Sequence, residues 1–315
     1  MALSGFKYAL KNPKAIFMML GARGLLNWMS DEQYIKILYR QKIGKKLNLK
    51  NPETFNEKLQ WLKLYDRKPI YSTMVDKYEA KKYVAEKIGQ EYIIPTLGVW
   101  DSVDEIDFDA LPDQFVLKCT HDCGGLVICR DKSKLDIKAA KAKIEKCLKR
   151  KYYLTSREWP YKDVKPRIIA EKYMQDTKDD ALTDYKFFCF DGVPRIMYIS
   201  KDHGRDPRTD FFDMDFNHLP IKARDPHAEV TPQRPEQFDQ MRRLAETLSE
   251  GLLHLRVDFY IVNEKVYIGE LTFYHMSGMT EFTPREWNVK MGSWINLPIE
   301  RTQDCDHSEL SQGSI

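Results

Sequence analysis

The chain has 315 residues, 43% hydrophobic and 31% charged, which is enough for two domains or one large domain of ordinary globular composition. Its 50 basic and 47 acidic residues leave a formal charge of +3, so the charge balance gives no support for nucleic-acid binding. Six cysteines without a CxxC pair indicate reduced thiols and a cytoplasmic protein rather than a disulfide framework.

The first 75 residues are predicted to be mainly helical. Residues 15–29 are apolar, but Arg23 interrupts a stretch that is already shorter than the roughly 20 residues of a membrane span. We therefore expect no transmembrane segment and a helix packed on the domain, with peripheral contact to the inner face of a membrane as the alternative. Thr54 and Glu57 have the spacing of a capping box and predict a helix start.

Helical and strand patterns alternate in the next part of the chain. The predicted elements are a helix over 76–89, strands over 93–95, 115–119 and 126–129, and a lysine-rich helix with a solvated face over 135–151.

FVLKCTHDCGGLVICRD, residues 115–131, is a candidate phosphate-binding hairpin. Lys118 lies in an apolar strand, where a charge is costly unless it is paired. Gly124 and Gly125 would let backbone N–H groups approach an anion, and His121 would face the ligand. The alternative is a plain hairpin whose lysine reaches solvent.

After Pro166 the sequence changes to strand patterns joined by turns. Strands are predicted in RIIAEKYM, DYKFFCFDG, VPRIMYIS and DFFDMDF, and a helix over 237–249. Helices followed by a large, mostly antiparallel sheet indicate an α+β fold.

Polar residues within this region allow two interpretations. Asp184 and Lys186 share one strand face, which favours a site or ordinary solvent-facing alternation about equally. Arg205, Arg208 and Lys222 could clamp phosphates or a carboxylate, or belong to a charged surface loop.

The most informative segment is RVDFYIVNEKVYIGELTF, residues 256–273, which predicts a hairpin. A three-residue turn at 263–265 would pair Val262 with Val266 and place Asp258 opposite Glu270. Side chains alternate between faces, so one face would be core and the other polar. The predicted core face is Val257, Phe259, Ile261, Tyr267, Leu271 and Phe273, and the other face carries Arg256, Asp258, Glu270 and Thr272, with Tyr260 and Ile268 nearer the turn.

Two carboxylates directly opposite each other repel, and a hard cation between them removes that cost. The hairpin therefore predicts a Mg²⁺ site at Asp258 and Glu270. Replacing either carboxylate by its amide is then expected to abolish turnover and to leave the fold intact. The alternative is a two-residue turn, which would put the two carboxylates on opposite faces.

Six ordered blocks resemble a known family: NPETFNEKLQWLKLYDRKPIY, VDKYEAKKYV, FVLKCTHDCGG, KPRIIAEKYM, DYKFFCFDG and VDFYIVNEKVYIGELTF. They are similar to the ATP-grasp superfamily and, more closely, to its TupA-like branch, named for teichuronopeptide biosynthesis. The resemblance covers roughly residues 45–295.

The resemblance implies an ATP-grasp fold, in which two α+β subdomains clamp ATP between them beside a mainly helical N-terminal region. The expected limits are 1–75 for the helical region, 76–170 for the small subdomain with the glycine loop, 171–300 for the C-terminal subdomain with the metal hairpin, and 301–315 for a polar tail.

The resemblance also implies roles for single residues. Lys77 and Lys118 would contact phosphates, the glycine loop would cover them, residues 171–174 would recognise adenine through their backbone, and Asp184 would bind ribose. The implied nucleotide-binding set is Lys77, Lys118, His121, Gly124, Gly125, Glu171, Lys172, Tyr173, Met174, Asp184 and Lys222.

Arg256 and Lys118 are the implied catalytic residues, and Asp258, Glu270 and Thr272 the implied ligands of one or two Mg²⁺ ions. Thr272 stands where the family pattern has Asn, and a hydroxyl is the weaker ligand.

The expected activity is ATP-dependent ligation of a carboxylate, such as a uronate sugar, to an amine, such as an amino acid, in a bacterial surface polysaccharide or its precursor. A glycosyltransferase that uses a nucleotide-sugar, with DMD at 213–215 as its metal motif, is the alternative. A non-catalytic scaffold with a degenerate nucleotide site is a third interpretation.

Overall fold

A computed structural model describes residues 13–176, 182–201 and 206–299, with side chains from residue 15 onward. Arg205 and the polar tail expected at 301–315 lie outside these residues. Within the described ranges, no helix has both the length and the apolar character that crossing a bilayer requires.

The N-terminal part of the described chain is helical. Its helices are α1 (Pro13–Ala22), α2 (Asp31–Ile43), α3 (Phe55–Tyr65), α4 (Ile70–Val75) and α5 (Glu79–Ile88). The capping box before α3 is confirmed: the hydroxyl of Thr54 accepts from the amide of Glu57, and the carboxylate of Glu57 accepts from the amide of Thr54.

A four-stranded antiparallel sheet follows, in the order β1-β4-β2-β3. Its strands are β1 (Thr96–Trp100), β2 (Phe115–Cys119), β3 (Val127–Cys129) and β4 (Ile168–Lys172), and α6 (Ile137–Leu148) packs on it. The strand predicted at 93–95 begins instead at Thr96, because Ile93 forms an isolated bridge with Ile268 of the second sheet.

The second sheet has six antiparallel strands in the order β10-β9-β5-β6-β7-β8. Its strands are β5 (Asp184–Phe190), β6 (Val193–Lys201), β7 (Arg208–Asp213), β8 (His218–Leu219), β9 (His254–Val262) and β10 (Lys265–Thr272). The remaining α-helices are α7 (Tyr153–Ser156), α8 (Phe238–Ser249) and α9 (Glu286–Ser293).

The helical region shares a core with the large sheet. Phe55 of α3 packs edge-on against Phe188 and Phe190 of β5, with ring centroids 6.3 and 5.8 Å apart, and Tyr71 of α4 lies 4.3 Å from Phe273. The small sheet has its own apolar cluster with α6. The subdomain limits stay predictions, and the one placed between residues 170 and 171 falls inside β4.

The turn predicted for the β9–β10 hairpin is wrong, whereas the predicted pairing of its carboxylates is confirmed. Val262 pairs with Lys265 across a two-residue turn, in which Asn263 and Glu264 have φ of 48° and 67°. A shift of register at Gly269 then restores the predicted pairing, so Asp258 lies opposite Glu270.

Glycine is required at this bulge because the ring of Tyr260 lies over it. A Cβ atom at Gly269 would be 2.6 Å from that ring. Because of the bulge, Tyr267 and Ile268 lie on the faces of the sheet opposite to those predicted. Ile268 is opposite Phe259, on the core face, and Tyr267 is opposite Tyr260.

Candidate active site

A row of charged residues runs across three strands of the large sheet. Lys186 of β5 pairs with Asp258 of β9, which pairs with Glu270 of β10. The ammonium group of Lys186 lies 2.6 Å from Asp258 Oδ2 and 2.7 Å from Asp184 Oδ1. Burial alone would lower the pKa of Lys186, but Asp258 and Asp184 outweigh it and raise the pKa, so this lysine is charged.

Arg256 is held rigidly beside this row. Its Nε and Nη2 atoms donate to the two oxygens of Asp258, both at 2.7 Å, and Nη2 also donates to Thr272 Oγ1 at 3.1 Å. Nη1 donates to Nδ1 of His275 at 2.8 Å. Burial and the adjacent guanidinium lower the pKa of His275 far below its usual value, so the imidazole is neutral and can accept. Four of the five guanidinium N–H groups are thus engaged.

The small sheet contributes the facing wall. Lys118 Nζ lies 2.5 Å from Glu171 Oε2, and Lys81 Nζ lies 2.7 Å from Glu171 Oε1. Burial by itself would raise the pKa of Glu171, but the two ammonium groups lower it, so the carboxylate is ionised.

Lys77 connects the two walls. Its ammonium group donates to the backbone oxygen of Asp122 in the glycine loop at 2.9 Å and lies 3.5 Å from Glu270 Oε1. A cavity of about 40 Å³ between the walls is lined by both sheets, including Lys77, Lys118, Glu171 and Glu270. Glu171, Asp184, Asp258 and Glu270 are thus each paired with a basic group.

The glycine loop packs on the C-terminal end of α6. Gly125 has φ of +65°, and a Cβ atom there would lie 2.4 Å from Cys147 Sγ, so both backbone and packing require glycine. His121 Nε2 lies 3.0 Å from the carbonyl of Arg150, while its buried Nδ1 has no hydrogen-bond partner. An unsatisfied buried nitrogen is consistent with the predicted contact between His121 and a ligand.

The remaining predicted nucleotide-binding residues are Lys172, Tyr173, Met174 and Lys222. The amide of Lys172 donates to the carbonyl of Pro95 at 3.0 Å and is not available to a base. The hydroxyl of Tyr173 accepts from Arg130 Nε at 3.1 Å, and Met174 follows in the segment leaving β4. Lys222 is exposed, and its backbone forms two hydrogen bonds with Thr283. The roles of these residues stay predictions.

Comparison with known proteins places this geometry in a family. A family model described as TupA-like ATPgrasp matches residues 57–296, well over half of the chain. The chain belongs to the TupA-like ATP-grasp family. Its ATP-grasp fold, of mixed α+β class, is therefore the fold that the sequence predicted.

Solved structures of several ligases resemble this family member distantly. A D-alanine–D-alanine ligase from Bacillus anthracis complexed with ATP is 16% identical, with a TM-score of 0.38, and the match covers 64% of this chain and 54% of the ligase. The enzyme from Helicobacter pylori is 12% identical, with a TM-score of 0.43 and coverage of 76% and 69%. This chain thus spans about half the length of the first ligase. No protein of curated function matches significantly.

Three residues of this ATP-grasp cleft were given no role from the sequence: Lys81, Lys186 and His275. Lys81 follows Lys77 by four positions, and that spacing places two residues on one face of a helical turn. The sequence places Lys186 on the same strand face as Asp184 but does not indicate its ion pair with Asp258. For His275, nothing local indicates a contact with a residue 19 positions earlier in the chain.

The acidic residues of the row have the chemistry of a magnesium site. Asp258 accepts three donors in the structure, from Arg256 and Lys186, although a carboxylate offers about four acceptor positions. Glu270 is less tightly paired, since its Oε1 atom lies 3.5 Å from the ammonium group of Lys77. Hard carboxylate oxygens that attract ammonium groups fit a hard cation equally well. Thr272 Oγ1, by contrast, is oriented towards Arg256.

The candidate metal motif of a glycosyltransferase, DMD at 213–215, has a structural role. Asp213 Oδ1 accepts from the amides of Asp215 and Asn217 at 3.0 and 2.8 Å, and Oδ2 accepts from the side chain of Asn217. Asp213 thus closes the turn between β7 and β8.

Proposed function

We propose that the protein is an ATP-dependent carboxylate–amine ligase that forms an amide through an acylphosphate and releases ADP. The observation that supports this most strongly is the cleft itself. Lys118 of the small sheet and Lys77, which precedes α5, line one cavity together with Glu270 of the large sheet, and this arrangement suits a nucleotide phosphate chain bound together with a divalent cation.

The basic residues would bind and polarise the phosphates. Lys77 and Lys118 would exchange their carboxylate partners for phosphate oxygens when ATP enters, and their charge would stabilise the leaving diphosphate. Arg256 would act as a fixed positive charge beside the transferred phosphoryl group, because Asp258 and His275 hold its guanidinium in place.

Asp258 and Glu270 would hold magnesium, which neutralises phosphate charge when it is bound. The glycine loop would close over the phosphates and keep water from the acylphosphate, and the contact of Lys77 with the Asp122 carbonyl couples that loop to Glu270.

The substrates are proposed from the family's association with surface polysaccharide. A uronate sugar in a polysaccharide or its precursor would supply the carboxylate, and an amino acid would supply the amine. Such precursors are assembled on the cytoplasmic side of the membrane, so we propose that the enzyme works there, with the N-terminal helices as the part closest to the membrane.

A direct test is to incubate the protein with ATP, magnesium and pairs of uronate sugars and amino acids. ADP and phosphate should accumulate only when both partners of the right pair are present, with one amide formed per ADP. Glu270→Gln should abolish this turnover. Glu145→Gln is the matched control and should leave turnover unchanged, because Glu145 is an exposed residue of α6 that pairs with Lys149.

Thermal unfolding distinguishes the glycosyltransferase and scaffold alternatives. A ligand at a hundredfold its dissociation constant adds about 2.7 kcal/mol of stability, so magnesium-ATP should raise the melting temperature whereas UDP-sugars should not. Stabilisation by a UDP-sugar without any by ATP would contradict the proposal. Binding of ATP without turnover for any pair would favour the scaffold.

A further inference from the structure

A second group of potential metal ligands lies on the large sheet, outside the cleft. It comprises Asp210 of β7, His218 of β8 and His227 in the segment after β8. Asp210 Oδ1 is 2.9 Å from His218 Nε2 and 3.2 Å from His227 Nδ1. The two imidazole rings meet edge to face with centroids 5.0 Å apart.

Backbone contacts hold the three residues together. The amide of Thr209 donates to the carbonyl of Pro226 at 2.9 Å, and the amide of Ala228 donates to Asp210 Oδ2 at 3.1 Å. Asp210 is only 2% exposed, and with Oδ2 occupied by the backbone, its Oδ1 is directed at both histidines. Orientation of a ligating carboxylate by a second hydrogen bond is typical of metal sites.

This group is separate from the ligase cleft. In the sheet register, Phe211 continues the row formed by Asp258, Lys186 and Tyr198. Asp210 is its neighbour along the strand and therefore points to the opposite face. Three strand spacings also separate β7 from β9, which is about 14 Å.

We propose that Asp210, His218 and His227 bind a zinc ion. Zinc takes imidazole nitrogens and carboxylate oxygens at about 2.0–2.2 Å, which sets neighbouring ligand atoms about 3.3–3.5 Å apart in a tetrahedron. The two separations from Asp210, 2.9 and 3.2 Å, differ from these values by only a few tenths of an ångström, and all three ligand atoms lie within 4.8 Å of one another. The fourth position is open to water, since His218 is one-third exposed.

Zinc binding replaces hydrogen bonds that the metal-free group makes. His227 Nδ1 also lies 3.1 Å from the carbonyl of Thr209 and donates to it in this arrangement, so ligation through Nδ1 requires the other neutral tautomer, with the ring proton on Nε2. The bound ion would fasten the segment that contains Lys222 and Pro226 to β7. That segment pairs with Thr283 in the chain that follows the catalytic hairpin.

The test is a zinc titration of full-length protein stripped with EDTA, in competition with a chromophoric chelator, together with the absorption spectrum of the Co²⁺-substituted protein. We expect one tight site per chain and a tetrahedral cobalt spectrum. His218→Gln and His227→Gln should each weaken zinc binding by more than about 100-fold, because even changes to second-shell groups cost 10–100-fold.

Matched variants separate this site from other zinc binders. Asp210→Asn should weaken zinc binding, whereas Asp239→Asn should not, because Asp239 lies on α8 and pairs with Arg234. Glu270→Gln and a Cys305→Ser/His307→Gln double variant should bind zinc like the wild type. Urea unfolding of the metal-free His218→Gln protein should match the wild type, which excludes misfolding as the cause.

The proposal is overturned if wild-type protein binds zinc no more tightly than the His218→Gln/His227→Gln double variant. It is also overturned if the tight site disappears in Glu270→Gln or in the variant of the tail residues. Neither result would bear on the ligase reaction, which is measured separately with magnesium.

Discussion

Asp258→Asn is expected to destabilise the protein far more than Glu270→Gln, although the two carboxylates are paired neighbours. Asp258 is 2% exposed and neutralises both Arg256 and Lys186 through contacts of 2.6–2.7 Å. Removing one partner of a buried ion pair costs about 3–5 kcal/mol, because the other charge is left uncompensated. Glu270 is 29% exposed and lies 3.5 Å from Lys77, so its pair contributes about 0–1 kcal/mol.

Equilibrium urea unfolding in EDTA measures this difference without magnesium. The free energy of unfolding should differ by at least about 2 kcal/mol between the two variants, with unchanged dependence on urea concentration. Glu145→Gln gives the baseline for losing an exposed pair. Equal losses, or a larger loss in Glu270→Gln, would refute the inference that Asp258 is the counter-ion of the buried cations. The expectation that both variants keep an intact fold is thus revised for Asp258.

Three further substitutions test other features. Gly125→Ala should raise the KM for ATP and cost clearly more stability in urea unfolding than the control Gly251→Ala. Both glycines have positive φ, but a Cβ at Gly125 would lie 2.4 Å from a cysteine sulfur, whereas one at Gly251 would have no neighbour within 4 Å. Equal losses of stability would contradict this steric argument. Burial, partly offset by Glu158, lowers the pKa of Lys63 from 10.5 to about 8. Between these pH values the unfolded chain binds more protons than the folded protein, so the free energy of unfolding should rise with pH relative to that of Lys63→Met. Parallel plots of unfolding free energy against pH for the two proteins would disprove this inference. Burial lowers the pKa of His254 from 6.5 to about 3, so stability should fall as the pH drops through this window, and unfolding of His254→Gln should depend less on pH there.

Local sequence signals predicted the secondary structure near the cleft well. The strand over 115–119 was predicted with its observed bounds, and α8 and the strands around FDG lie within one or two residues of the predicted segments. These elements have strong periodicity and clear turn residues, which depend on near neighbours in the chain. The strand at 93–95 was misplaced because Ile93 is held by a residue of the other sheet.

The β9–β10 hairpin shows the limit of such reasoning. In a hairpin without a bulge the length of the turn sets the register of the strands, so pairing Asp258 with Glu270 requires a three-residue loop. The protein instead combines a two-residue turn with a bulge at Gly269. The glycine was visible in the sequence, and glycine within a strand often marks a bulge. The sequence does not show, however, that the ring of Tyr260 lies over this glycine and leaves no space for a side chain.

Local patterns and ordered motifs in the sequence were sufficient for most of the helices and strands and for the family, and they singled out Lys77, Lys118, Asp258 and Glu270 as candidate site residues. The contacts between polar groups depended on the tertiary structure: Lys81 and Lys118 with Glu171, Lys186 and Arg256 with Asp258, and Arg256 with the neutral His275. These contacts depend on sheet register and on how two sheets face each other, and both are set by packing between residues far apart in the chain.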